Sequence, residues 1–258
     1  MLWRRETHSL GEGLVVEVAL PEGYDERDVD YPLVVCLDPQ WTFGTVCDSA
    51  LNLGLARLVP RVIVAGIGWD ASSAREVLRL RGEAYTPTDA TFPDRVAPRD
   101  AGPAPSGGAP RYQRWLRDEV LPFLDDGYRT RPGARVVVGH SLSALFGLYC
   151  LCTAPGTFSH YLLASPSIWW DDRVIFEIED REARRAGPVA GRVFISVGAD
   201  EEVGGLSPMV SNAREMAERL GGRGHPDLDH TLAVLPGETH FSTIPAAVSR
   251  GLRWLLGS

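Results

Sequence analysis

Val136-Val137-Val138-Gly139-His140-Ser141-Leu142-Ser143-Ala144-Leu145-Phe146 passes from one kind of local structure to another within eleven residues. An apolar β-branched run stops at a glycine, a serine follows two residues later, and an apolar helix-forming segment begins at once. That order reads as strand, sharp turn and helix, the pattern of a nucleophile elbow, in which one hydroxyl is forced out at the bend. The bend crowds the positions two before and two after the serine, so small residues are needed there. Gly139 meets the need fully and Ser143 only in part. A serine after a glycine at a strand end is more often a turn residue than a nucleophile, so Ser141 gains weight only from partners elsewhere in the chain.

Working outward, strand and helix signals alternate. Residues 14–20 alternate apolar and polar, as in a half-exposed strand. Residues 33–37 and 62–67 are continuous apolar runs, expected of central parallel strands covered on both faces. Residues 111–124 have helical spacing, 136–138 form the strand before the elbow, and 142–154 read as a buried helix ended by Pro155-Gly156. Strands follow at 161–164, 193–198 and 232–235, with a charged helix over 172–185. Ser207 and Pro208 read as N-cap and first residue of a further helix, and 245–256 as the last helix. Repeated β-α units predict an α/β fold, one domain over 1–258 built on a mostly parallel sheet with helices on both faces. Residues 86–110 break the pattern with six prolines and three glycines. A loop of that length in a compact domain marks a candidate lid.

The net charge of −8 speaks against nucleic acid or an anionic membrane surface as partner. All 26 basic residues are arginine, which removes a Schiff-base lysine and a P-loop lysine. Cys36, Cys47, Cys150 and Cys152 lack metal-site spacing and read as buried free thiols, which suits a reducing compartment. The turn carrying His225 and His230 has no zinc-type spacing either, so no metal or cofactor is expected. No apolar run reaches transmembrane length and the N-terminal residues lack a signal-peptide core, so the expected location is cytoplasmic.

In open α/β sheets function gathers beyond the carboxyl ends of the strands. Ser141 follows one such strand; Asp200, Glu201 and Glu202 follow the strand at 193–198; His240 follows the last. The order serine, acid, histidine is that of α/β hydrolases. A serine hydroxyl becomes nucleophilic when a neutral imidazole accepts its proton, and a carboxylate holds that imidazole in the right tautomer. His240 is the histidine placed to be the base, and the three acids remain alternatives for the third role. An oxyanion hole needs two backbone N–H donors. Leu142 supplies one, and Gln40 is the candidate for the other because Pro39 has no N–H.

These residues resemble the esterase-D-like α/β hydrolases, and within them the branch of ferric-enterobactin and bacillibactin esterases. The similarity runs over most of the chain, through Leu37-Asp38, Tyr85-Thr86-Pro87, Gly139-His140-Ser141-Leu142, Ser165-Pro166-Ser167-Ile168-Trp169-Trp170, Val197-Gly198 with Glu201, and His240 with Ile244-Pro245. The resemblance implies a serine esterase acting on a small-molecule ester, with Ser141 as nucleophile, His240 as base and Glu201, by position, as the acid. Its departures are Ser143 and Ala144 where relatives carry glycines, Pro39 for a glycine in the oxyanion loop, and no Arg-Asp before Tyr85-Thr86-Pro87. For an anionic, aromatic siderophore the candidate substrate contacts are Trp41, Trp169, Trp170 and Arg81. Two rivals use the same residues: an acyltransferase, in which a bound alcohol takes the acyl group, and a non-catalytic binding protein whose crowded elbow blocks turnover.

Overall fold

Strands form where the apolar runs lie, and they join one eight-stranded sheet. The computed structural model describes residues 3–11, 13–90, 105–186, 189–202 and 208–257. The first half comprises β1 (Trp3–Ser9), β2 (Leu14–Pro21), β3 (Tyr31–Leu37), α1 (Pro39–Leu55), β4 (Ile63–Trp69), α2 (Ala74–Tyr85) and α3 (Ala109–Trp115). A π-helical turn (Leu116–Val120) joins α3 to α4 (Leu121–Gly127), followed by β5 (Thr130–His140), α5 (Leu142–Thr153) and β6 (His160–Ala164). The chain ends through α6 (Val174–Ala186), β7 (Gly191–Gly198), α7 (Met209–Gly222), β8 (Leu228–Leu235) and α8 (Thr243–Leu256). Spatial order is β1-β2-β4-β3-β5-β6-β7-β8; β2 is antiparallel to both neighbours and every other pair is parallel. This is the α/β-hydrolase fold.

Alternation along the strands splits the core between the two faces. Leu33, Val35 and Leu37 pack with α5, α6 and α7, whereas Val34 and Cys36 pack with α1 and α8. After β3 the sheet grows toward β4, and after β5 toward β6, so the crevice between the carboxyl ends of β3 and β5 is a topological switch point. Cys36 pairs with Val138, so two residues further on Asp38 and His140 leave the sheet side by side.

Some local expectations change. β1 has no apolar alternation (Trp-Arg-Arg-Glu-Thr-His-Ser) and forms by pairing its backbone with β2, which no side-chain pattern announces. The helix predicted over 111–124 runs longer and carries the π turn just before Pro122, whose missing N–H breaks the regular ladder. The last-but-one helix starts at Met209 with Pro208 as N-cap, a shift of one residue, and Ser207 lies outside the described residues. Of the segment 86–110, residues 91–104 are likewise outside the described residues, and the lid expectation falls there. Its two ends are stitched together: Gly107 N–H donates to Thr86 Oγ1 at 2.8 Å and Ala109 N–H to the Thr86 carbonyl at 3.1 Å. Among the described residues no helix is long and apolar enough to cross a membrane.

Candidate active site

Ser141 sits between β5 and α5 at φ 62°, ψ −118°, a backbone conformation that L residues rarely adopt. Hydrogen bonds hold it there. Ser141 N–H donates to the Ala164 carbonyl (3.0 Å), and its own carbonyl accepts from the N–H of Leu145 (3.0 Å) and of Ser167 (3.1 Å). Gly139 is needed for close approach: a Cβ there would collide with the Ser143 carbonyl and lie 2.7 Å from Ala144 N. Leu142, the first residue of α5, points its N–H out of the helix end with no acceptor inside the helix.

Across the sheet ends, His240 Nδ1 meets Glu201 Oε2 at 2.7 Å. A carboxylate accepts, so Nδ1 carries a proton and Nε2 is the ring nitrogen turned away from Glu201. The Glu201 side chain is 1% exposed, and its other oxygen accepts from Gly198 N–H and Ser165 Oγ, both at 2.6 Å. Burial alone would raise the Glu201 carboxyl, but the hydrogen bonds from His240, Ser165 and Gly198 outweigh it and hold it below the ordinary glutamate value. The neighbouring acids do other work. Glu202 bonds Ser211 at the start of α7, and Asp200 is exposed. His140 Nε2–H donates to the His240 carbonyl at 2.6 Å, with the two ring centroids 4.5 Å apart, which fixes His240 against the residue preceding Ser141. Burial first, and then the neighbouring imidazole of His240, push His140 down to about 4, so it stays neutral at pH 7.

The loop after β3 supplies the other wall. Asp38 is the N-cap of α1 at φ 53°, ψ 57°, and is fully buried. Arg81 grips it through Nε (3.0 Å) and Nη2 (2.9 Å), and the same guanidinium lies 4.9 Å from the Trp41 ring centroid. Thr42 Oγ1 adds bonds to the carbonyls of Leu37 (2.8 Å) and Asp38 (3.1 Å). Trp41 N–H is used on the Asp38 carbonyl (3.0 Å), whereas the N–H of Gln40, in the first turn of α1, has no acceptor inside the helix.

The family model described as "Putative esterase" matches residues 7–243. The chain belongs to this esterase family. Ferri-bacillibactin esterase BesA of Bacillus subtilis is 30% identical over 231 residues, covering 88% of this chain and 79% of BesA. The crystal structure of the BES protein from Bacillus cereus superposes with a TM-score of 0.82 at 26% identity, over 100% of this chain and 97% of that one. Siderophore hydrolase EstA from Aspergillus nidulans shares the fold with a TM-score of 0.84 at 22% identity, over 98% of this chain and 94% of that one. The esterase is thus related to the siderophore esterase branch.

Two of the residues expected to disturb the site have local explanations. Ser143 does not crowd the elbow, because its hydroxyl accepts from His140 N–H and donates to the His140 carbonyl, both at 2.9 Å. Pro39 takes the first position of α1, where its fixed φ suits a helix start. Its ring fills the side-chain-free surface of β4: a Cβ on Gly66 or Gly68 would lie 2.8 Å from it.

Among the expected substrate contacts, Trp41 is 37% exposed beside the oxyanion loop and Trp169 is half-buried. Trp170 is core, with its Nε1–H donating to Thr88 Oγ1 at 3.2 Å. Arg81 is not the free substrate ligand expected, because a carboxylate on the neighbouring loop, 43 residues away in sequence, claims its fork. Sequence reasoning missed Asp38, His140, Ser165, Ser167 and Phe241 as parts of the site. Phe241 is 67% exposed with its ring 5.2 Å from that of His240, and its position directly after the base was the one signal available.

Proposed function

We propose that this esterase cleaves carboxylic esters through an acyl-serine intermediate. The observation that carries the reading is the Glu201–His240 bond, since it commits His240 Nδ1 to the carboxylate and leaves Nε2 as the nitrogen to accept a proton, while Ser141 occupies the strained turn after β5. Ser141 Oγ attacks the ester carbonyl as its proton passes to Nε2. The N–H groups of Gln40 and Leu142 receive the oxyanion. Collapse breaks the bond to the alcohol, which leaves with the proton from His240. Water then repeats the sequence against the acyl-serine and releases the acid.

The proposed substrate is a siderophore or related natural-product ester with an aromatic acyl part. Two things support this: the relative named a ferri-bacillibactin esterase, and the exposed aromatic rings of Trp41 and Phe241 flanking the site. The test is intact-mass analysis after treatment with a fluorophosphonate. One adduct on the wild type and none on Ser141→Ala is expected, with kcat lower by about 10⁴-fold or more in that variant. Absence of an adduct on the wild type would overturn the reading in favour of a binding protein. With an aromatic ester and added alcohols, free acid as the main product is expected, whereas transfer to the alcohol would make the protein an acyltransferase.

A further inference from the structure

Three residues after β6, Ser165-Pro166-Ser167, touch two members of the candidate machinery at once. Ser165 Oγ donates to Glu201 Oε1 at 2.6 Å, and Ser167 Oγ lies 3.0 Å from Ser141 Oγ. The segment is held from all sides. Ser165, at φ 47°, donates its N–H to the Ser196 carbonyl (2.7 Å), Ser167 N–H goes to the Ser141 carbonyl (3.1 Å), and the Ser167 carbonyl accepts from Trp170 N–H (3.1 Å).

Counting protons gives the direction of the serine pair. Ser167 is 0% exposed, so its hydroxyl hydrogen has no water to go to, and its one hydroxyl partner among the described residues is Ser141 Oγ. A buried donor left unmade is costly. Ser141 is half-buried, so its own hydrogen has an alternative outlet. Ser167 therefore donates and Ser141 accepts, which turns the hydrogen of Ser141 away from Ser167.

We infer that Ser167 is a further catalytic residue, a fixed hydroxyl donor to the nucleophile's oxygen. It presents the Ser141 proton to His240 and stabilises the negative charge that grows on Ser141 Oγ as that proton leaves. No bond to Ser167 forms or breaks; the proton passes from Ser141 to His240 Nε2, and the Ser167 hydrogen bond shortens onto the charged oxygen. The inference rests on the reading of Ser141 as nucleophile.

The experiment compares Ser167→Ala and Ser167→Cys with the wild type, using the second-order rate of fluorophosphonate labelling and the kcat and KM for p-nitrophenyl acetate. The alanine variant should label about 10- to 100-fold more slowly, as expected when a charged oxygen loses a donor, with kcat lower by the same factor and KM unchanged. Cysteine fills the same space with a weak donor and should behave like alanine. Labelling of Ser167→Ala within twofold of the wild type would overturn the inference. So would full recovery in Ser167→Cys, which would make the effect one of packing. A wild type that takes no label would remove the nucleophile itself, and this inference with it, an outcome separable from a labelled wild type with an unaffected Ser167→Ala.

Discussion

The two ends of the parallel strands are built on different principles. At the carboxyl ends, Asp38, Ser141 and Ser165 follow β3, β5 and β6 directly, with φ of 53°, 62° and 47°. Each is buried or half-buried and fastened by hydrogen bonds to a neighbouring loop. At the amino ends of β3, β4 and β5 lies a cavity of about 530 Å³ lined by Arg27, Arg57, Arg61 and Arg131 with Val29 and Leu58. None of those four arginines forms an ion pair among the described residues, and all but Arg61 are exposed. The amino end carries this arginine-lined cavity with one left-handed residue, Arg57, at an exposed helix end, and the carboxyl end carries three left-handed residues inside a buried polar network. Concavity alone does not mark a reacting centre. Strained backbone tied into a buried hydrogen-bond network marks function better.

The largest expected effect comes from cutting the Arg81 brace under the loop after β3. Arg81→Met leaves the buried Asp38 carboxylate without its cation and should cost about 3–5 kcal/mol of stability, read as a lower midpoint in urea. A loss below about 1 kcal/mol would show that this end is no more tightly specified than a solvated surface pair.

Acidification tests the same end by a different route. His140 has a folded-state value of about 4 against an ordinary 6.5, so below pH 6.5 the unfolded chain takes up a proton that the folded chain refuses. Stability contributed by neutral His140 is full above 6.5 and is lost as pH falls toward 4, a change on the order of 3 kcal/mol. Thermal melts across that window should show the loss in the wild type and a shallower one in His140→Gln. Identical slopes would mean that His140 titrates normally.

The smallest effect belongs to the amino end. Arg57 ends α1 in the left-handed region at φ 57°, where glycine is at home. Arg57→Gly should raise stability by about 1 kcal/mol, or Tm by a few degrees, with esterase activity unchanged. A fall in activity would tie the arginine-lined cavity to the reaction and erase the distinction between the two ends.

The elbow was legible because its signal is local. A β-branched run, one obligatory glycine and an apolar helix lie within eleven residues, and their backbone requirements follow from sterics alone. The β3 loop was less legible. Pro39 reads as a disturbance until Gly66 and Gly68, on the neighbouring strand, are seen to accept its ring. Arg81 read as a substrate contact because spacing along the chain does not report which carboxylate waits opposite a side chain.

The sequence alone was enough for the strands from β2 to β8, the helix behind the elbow, the sharp turn at Ser141 and the family to which the chain belongs. Hydrophobic periodicity and steric necessity are properties of neighbouring residues, so they can be read along the chain. Tertiary packing was needed to show that Glu201 bonds His240, that His140 holds the His240 carbonyl, and that Ser167 reaches Ser141. Those choices depend on hydrogen-bond directions between loops brought side by side by the sheet. An ångström or two of placement decides them, and no spacing in the chain encodes that.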